Sequence, residues 1–269
     1  VIRTVDLYKK EDCYFFVLNT SSIAEYESAC NFLKKNQFFF TTGKGSCCTT
    51  SYTFQKRNYL VNADQVKNEG ETIYRLSVRK KIIPEITEVQ YAEDLLRFDS
   101  HEYLASFFGE KNIKKDEYYF SENELKKCSV LFPNTNQQAI FIWGDEENYN
   151  NLSYILISGI LPTMSAVQYT GFVSQNKWVS KTGLYSGMGL KDLVRANNAD
   201  INFHGRNSEF SFLVNPDSKG NIDFKKCGVM LGCIGCGGSE TLLDKEKIGT
   251  EEALENNLQL HVFYIMISK

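Results

Sequence analysis

The chain has 269 residues, of which 42% are apolar and 23% charged, enough for one large domain or two to three small ones, each with its own core. Its 33 acidic and 30 basic residues give a net charge of −3, so there is no basic excess to neutralise phosphates, and nucleic acid is excluded as a first expectation. No apolar run approaches the roughly 20 residues that a membrane-spanning helix needs.

The sequence starts at Val1, as a processed or trimmed product does, and an export signal already removed fits that start. The first apolar run, Cys13 to Leu18, reads as a buried strand. Ser22-Ile-Ala-Glu25 is a capping box, and the helix it opens runs to about Lys35, with Ile23, Tyr26, Cys30 and Leu33 as its inward stripe. Strands are then expected at Gln37–Thr42, Tyr52–Val61 and Thr72–Lys80, with the glycine-rich "GKGSCC" as a turn and "NADQVKNEGE" as a connection. The last of these alternates, with Tyr74, Leu76 and Val78 opposed to Arg75, Ser77 and Arg79. The order is β-α-β-β-β.

Lys80-Lys81-Ile-Ile-Pro84 marks a boundary, after which the chain says one thing twice. "DSHEYLASFFGEKNI" predicts a helix capped by Asp99 or Ser100 and stopped at Gly109. "GMGLKDLVRANNADI" predicts another, with Leu190, Leu193 and Val194 as its stripe and Asn197 and Asn198 as stop residues. Four strand-like runs follow each: 113–120, 129–132, 139–143 and 154–157, then 201–204, 209–214, 221–224 and 228–231. "QLHVFYIMIS" closes the chain as a strand. The expected fold is α+β: an N-terminal βαβββ unit over 1–82 and two tandem helix-plus-antiparallel-sheet repeats, over 83–160 and 161–269. One helix and the neighbouring unit cover one face of each sheet, which leaves the other faces free for a partner.

Eight cysteines stand at 13, 30, 47, 48, 128, 227, 233 and 236. Cys233-Ile-Gly-Cys236 has the spacing of a metal or redox pair, but a structural zinc site needs four ligands, and Gly237-Gly238 oppose the helix start that lowers a catalytic thiol's pKa. A disulfide, or two plain thiols at a strand end, is the expected state. In an oxidising compartment Cys233 pairs with Cys236, or Cys227 pairs with one of them, and a bridge from Cys13 or Cys30 to Cys47 or Cys48 becomes available. Gly43–Ser46 lacks the spacing of a phosphate loop. His101, His204 and His261 stand beside no nucleophile elbow. "WGDEEN" groups Trp143 with Asp145 and Glu146, a candidate partner surface that also reads as a hairpin loop with a core tryptophan. Trp178 is placed to anchor one repeat to the other. No catalytic, cofactor or metal site is expected.

From about Ile83 to Leu231, just over half of the chain, "FFGEKNI", "VLFPN", "IWGDEE", "GMGLKDL" and "NNADINFHG" resemble the motif series of a group of uncharacterised bacterial envelope proteins, periplasmic or lipoprotein-like. The helix-plus-sheet tandem is similar to the beta-lactamase-inhibitor-protein-like architecture. The resemblance implies export to the periplasm or cell surface, a lipid anchor on the precursor, and non-enzymatic binding of a protein or glycan. Two departures are "Asn197-Asn198" for the usual Asn-Gly, and "GRNSEFSFLV" for the family's glycine-rich segment. A cytosolic immunity-type antagonist, and a thiol-redox or zinc protein using Cys233 and Cys236, are the alternative expectations.

Overall fold

The computed structural model describes residues 2–10, 13–42, 49–68, 70–121, 124–158, 175–233 and 240–269. The chain divides into two compact units. Unit 1 is Val1–Glu85, Asp99–Glu110 and Asp145–Asn150, and unit 2 is Ile86–Phe98, Lys111–Gly144 and Asn151–Lys269. The class is α+β, with antiparallel sheets and few helices.

Unit 1 contains β1 (Ile2–Lys10), β2 (Cys13–Thr20), α1 (Ile23–Lys35), β3 (Phe39–Thr42), β4 (Thr49–Lys56), β5 (Tyr59–Asn68), β6 (Glu71–Lys81) and α2 (His101–Phe108). The strands form one sheet in the order β1-β2-β6-β5-β4-β3, antiparallel at every described pairing. Two expectations change here. The first strand lies upstream of Cys13, and the run Tyr52–Val61 is two strands with a turn between them. Arg57 has a φ of 52°, and Lys56 pairs with Tyr59, so Arg57-Asn58 is a two-residue hairpin turn. Asn58 fixes that turn, because its side-chain amide donates to Lys81 O at 2.6 Å while Lys81 N donates to Asn58 O at 2.9 Å. The supposed connection "NADQVKN" is β5, paired on both sides.

The Ser22 hydroxyl accepts from Glu25 N at 3.3 Å and caps α1 as the box requires. Glu25 closes it through a relay: the Thr20 hydroxyl donates to its carboxylate at 2.6 Å and accepts from Ser22 N at 3.0 Å. Tyr26 and Cys30 of α1 pack on Phe54, Val61, Ala63 and Tyr74, with Leu33, Phe38, Leu76 and Val78 around them. α2 is capped by Ser100 and stopped at Gly109, whose φ of 87° suits glycine.

Unit 2 continues with β7 (Ile113–Ser121), β8 (Glu124–Leu131), β9 (Ala139–Asp145), β10 (Asn150–Ser158), α3 (Leu190–Asn197), β11 (Asn202–His204), β12 (Cys227–Cys233), α4 (Glu240–Leu243), β13 (Lys247–Gly249), α5 (Thr250–Glu255) and β14 (Leu260–Ser268). The first set of expected strands forms, as β7 to β10. The second set does not make a sheet of its own. β12 joins the first set through β14, in the order β12-β14-β10-β9-β8-β7, while β11 forms a two-stranded ladder with β13 and a single bridge to Val214. Residues 209–212 are turns, and Phe212 takes a φ of 61°, which breaks the extended run and leaves single bridges at Leu213 and Val214. Residues 221–224 are held by Asn197, whose side chain accepts from Ile222 N and donates to Lys219 O. The polar groups beside α3 thus take the backbone that the pattern assigned to strands.

Three polar side chains tie the remaining segments of unit 2 together. The Asn176 amide donates to the carbonyls of Gln138 (2.9 Å) and Ser158, and its oxygen accepts from Trp178 N at 2.9 Å. The Trp178 indole N–H donates to Gln137 O at 2.8 Å. Asp200 accepts from the Thr250 hydroxyl and from Glu251 N, so it caps α5 from a distance in sequence.

Candidate functional site

The features that stand out lie on the two flanks of α1. A six-stranded sheet spans about 24 Å between its outer strands, and one helix is about 10 Å across. Among the described residues, α1 alone is therefore narrower than half the width of that sheet. On its β2 side lies a groove of about 780 Å³, lined by Leu18, Ala24, Ala29, Phe32, Leu33, Phe38, Val61, Leu76 and Val78, with Glu25 and Ser28 as its polar members. Phe32 is 64% exposed, and Phe16 on the neighbouring strand is 38% exposed. Large side chains this open, next to a continuous apolar surface, mark a binding face more often than ordinary surface does.

On its β4 side lies a second space, of about 400 Å³, with a different character. Tyr26, Tyr52, Phe54 and Tyr74 line it, with Glu27, Asn31, Lys34 and Gln65 as the polar members. The Tyr26 hydroxyl donates to Ala63 O at 3.0 Å, and burial holds that phenol well above its usual range. Burial also raises the Cys30 thiol beside it. Both groups stay uncharged at neutral pH.

The candidates named from the sequence fall elsewhere. Trp143 is 2% exposed, and its indole N–H donates to the Ser129 hydroxyl at 2.9 Å. It is a core residue of unit 2 and is corrected from the partner surface on which it was grouped with Asp145 and Glu146. Asp145 ends β9 and Glu146 opens the turn after it, both in unit 1, and Asp145 accepts from Asn148 N and from the Asn148 side-chain amide. Asn148 O in turn accepts from the Gln55 amide at 2.7 Å. The acidic stretch is therefore held as a turn.

Cys30, Cys128 and Cys227 are free, buried thiols, which removes Cys30 from any bridge to Cys47 or Cys48. Burial pushes Cys128 and Cys227 up to about 12. Cys233 is disulfide-bonded. Cys236, Cys47, Cys48 and the "GKGS" stretch lie outside the described residues. His101 sits edge-on to Tyr149, His204 lies beside Phe210, and His261 has a buried Nδ1 without a partner among the described residues. Among the described residues no group of three or more His, Cys, Asp or Glu side chains is placed to hold a metal ion, and no helix is long and apolar enough to cross a membrane.

The α1 flanks were hard to read from sequence because their floor comes from strands misplaced there. Val61 and Gln65 belong to β5, whose "NADQVKN" has few residues that favour strands. The signals that pointed to this face are the alternation of Tyr74, Leu76 and Val78 and the α1 stripe, of which Tyr26, Cys30 and Leu33 turn inward while Ile23 is exposed.

Comparison with protein-family models, with curated proteins and with solved structures gave no match.

Proposed function

We propose that the chain is a non-enzymatic binding protein of the cell envelope, and that a protein partner docks in the apolar groove between α1 and β2. The single observation that carries this reading is the apolar groove itself, where aliphatic side chains of β2, β5 and β6 lie beside an exposed Phe32. Burying such a surface is the main favourable term in protein association. Ala24 and Ala29 keep the α1 wall low, so backbone from a partner can approach it closely. The lining suits apolar side chains of a protein segment, since Glu25 and Ser28 are too few to satisfy a polyhydroxylated ligand. The envelope location rests on the resemblance of the 83–231 motifs, and cell fractionation checks it directly.

Site-specific photo-crosslinking tests the docking. A photoreactive residue at Phe32, on protein in its native cells, is expected to trap one protein species. The same group at Arg195, exposed on α3 of unit 2, is the control. Equal adducts at both positions, or none at Phe32, would sink the proposal.

A further inference from the structure

β7 lies at one end of its sheet, and among the described residues no strand pairs with its outer side. The register decides which backbone groups face that side. Phe132 N donates to Asn112 O at 2.7 Å, so these two residues form a hydrogen-bonded pair, and the pairs that run on from Ile113↔Leu131 alternate from there. Lys114, Asp116 and Tyr118 therefore turn their N–H and C=O groups towards β8, whereas Ile113, Lys115, Glu117 and Tyr119 turn theirs outward. One bond agrees with this assignment independently. Glu117 N donates to Oδ1 of the neighbouring Asp116 at 3.0 Å, a side chain of its own strand. The ladder with β8 shifts register between Tyr119 and Ser121, so the regular edge ends at Tyr119.

The edge is open and charged. Lys114, Lys115, Glu117 and Tyr119 are all exposed, Tyr119 at 59%. An outer strand is a template for another strand, and the charges along it select which strand fits. Outward-facing residues pair with outward-facing residues, and directly opposite side chains share a face. Against an antiparallel copy of itself, β7 has three registers that bring the charged middle together. Centred on Lys115, the pairing opposes lysine to lysine, and centred on Glu117 it opposes glutamate to glutamate. Centred on Asp116, it sets Lys115 opposite the partner's Glu117, Glu117 opposite the partner's Lys115, and Ile113 and Tyr119 opposite one another in the same way. Asp116 then meets the partner's Asp116 at the axis. Each carries its own counter-charge, since Lys114 Nζ lies 2.8 Å from Asp116 Oδ2, and that central group has no net charge.

We infer that the outer edge of β7 is a docking edge for a second copy of this chain, paired antiparallel about a twofold axis at Asp116. The self-complementary charge order Lys115–Glu117 carries the inference. About eight backbone hydrogen bonds form in this register, and Glu117 N exchanges its Asp116 carboxylate for the backbone carbonyl of the partner's Lys115. A strand edge alone is a small interface, so the association is weak and reversible. It is independent of the groove beside α1, and either stands if the other fails.

Sedimentation equilibrium on the full chain, from about 10 μM to about 1 mM, tests the inference. A concentration-dependent monomer–dimer equilibrium is expected. Lys115→Glu and Glu117→Lys are exposed changes that each set like charges opposite one another on both sides of the axis, and each should weaken dimerisation at least about tenfold. Lys115→Glu combined with Glu117→Lys exchanges the two charges and should restore it. A monomer at every concentration, a dimer that both single reversals leave intact, or a double variant that stays as weak as the single ones would overturn the assignment.

Discussion

The side-chain oxygen of Asn197 and the backbone amide of Ile222 are joined by a 3.1 Å hydrogen bond across 25 residues of sequence. The same side chain donates to Lys219 O at 2.7 Å, and Asn197 O accepts from Asn221 N at 2.8 Å. One buried asparagine at the end of α3 thus satisfies a whole loop. Asn197→Ala should destabilise the protein by roughly 2–3 kcal/mol, since it strands buried backbone groups. Gly220 completes the arrangement with a φ of +136°, and a Cβ there would come within 2.4 Å of the Asn197 side chain. Gly220→Ala should therefore also destabilise, by about 1–3 kcal/mol. Urea unfolding curves measure both, and wild-type midpoints would show that the loop is not held by Asn197.

The Trp143–Ser129 hydrogen bond makes a similar claim about the core of unit 2. Ser129→Ala leaves a buried indole N–H without its partner and should cost about 1–3 kcal/mol. Trp143→Phe with Ser129→Ala should cost less than the two single changes added together, because the partner group is then gone as well. Full additivity in the double-mutant cycle would contradict the bond.

These two asparagine and tryptophan sites mark where the sequence was legible and where it was not. The α2 boundaries were readable because Ser100 and Gly109 do purely local work: a side chain accepts one amide, and a positive φ stops the helix. Trp143 was ambiguous, because "WGDEEN" joins an apolar residue to a turn, and the core side of that junction is decided by Ser129, 14 residues away. The second repeat failed for a related reason. Runs 209–214 and 221–224 alternate well enough to be strands, but Asn197 and the positive φ of Phe212 take their backbone elsewhere. The groove beside α1 was out of reach, since it depends on how many strands lie under one helix, and β1 and β5 were not recognised.

Burial makes the protein sensitive to alkali. Tyr118 and Tyr154 are pushed up to about 12 from 10.0, and Cys128 and Cys227 to about 12 from 9.0, in each case chiefly by desolvation. The neutral forms are favoured by the fold, whereas the unfolded chain ionises at ordinary values. Their contribution is therefore fully present below pH 9 and is lost as pH rises towards 12. Urea midpoints should hold level up to pH 9 and then fall. A midpoint that stays level across the whole interval would contradict the burial of these groups.

The thiols give a direct chemical check. Cys30, Cys128 and Cys227 should resist alkylation in the native protein and react completely in denaturant without any reductant. Mass spectrometry of the alkylated chain reads both states. A block at any of the three after denaturation would place a disulfide where the fold has a free thiol.

The central claim is that the apolar groove beside α1 is where a partner binds. Its most direct measurement is the affinity of the protein trapped at Phe32 for three variants: Phe32→Asp, Val78→Asp and Arg195→Asp. The first two put a charge into the groove and should weaken binding at least about tenfold, as the loss of a central contact does. Arg195→Asp, in unit 2, should match the wild type. Equal affinity for all three would contradict the account.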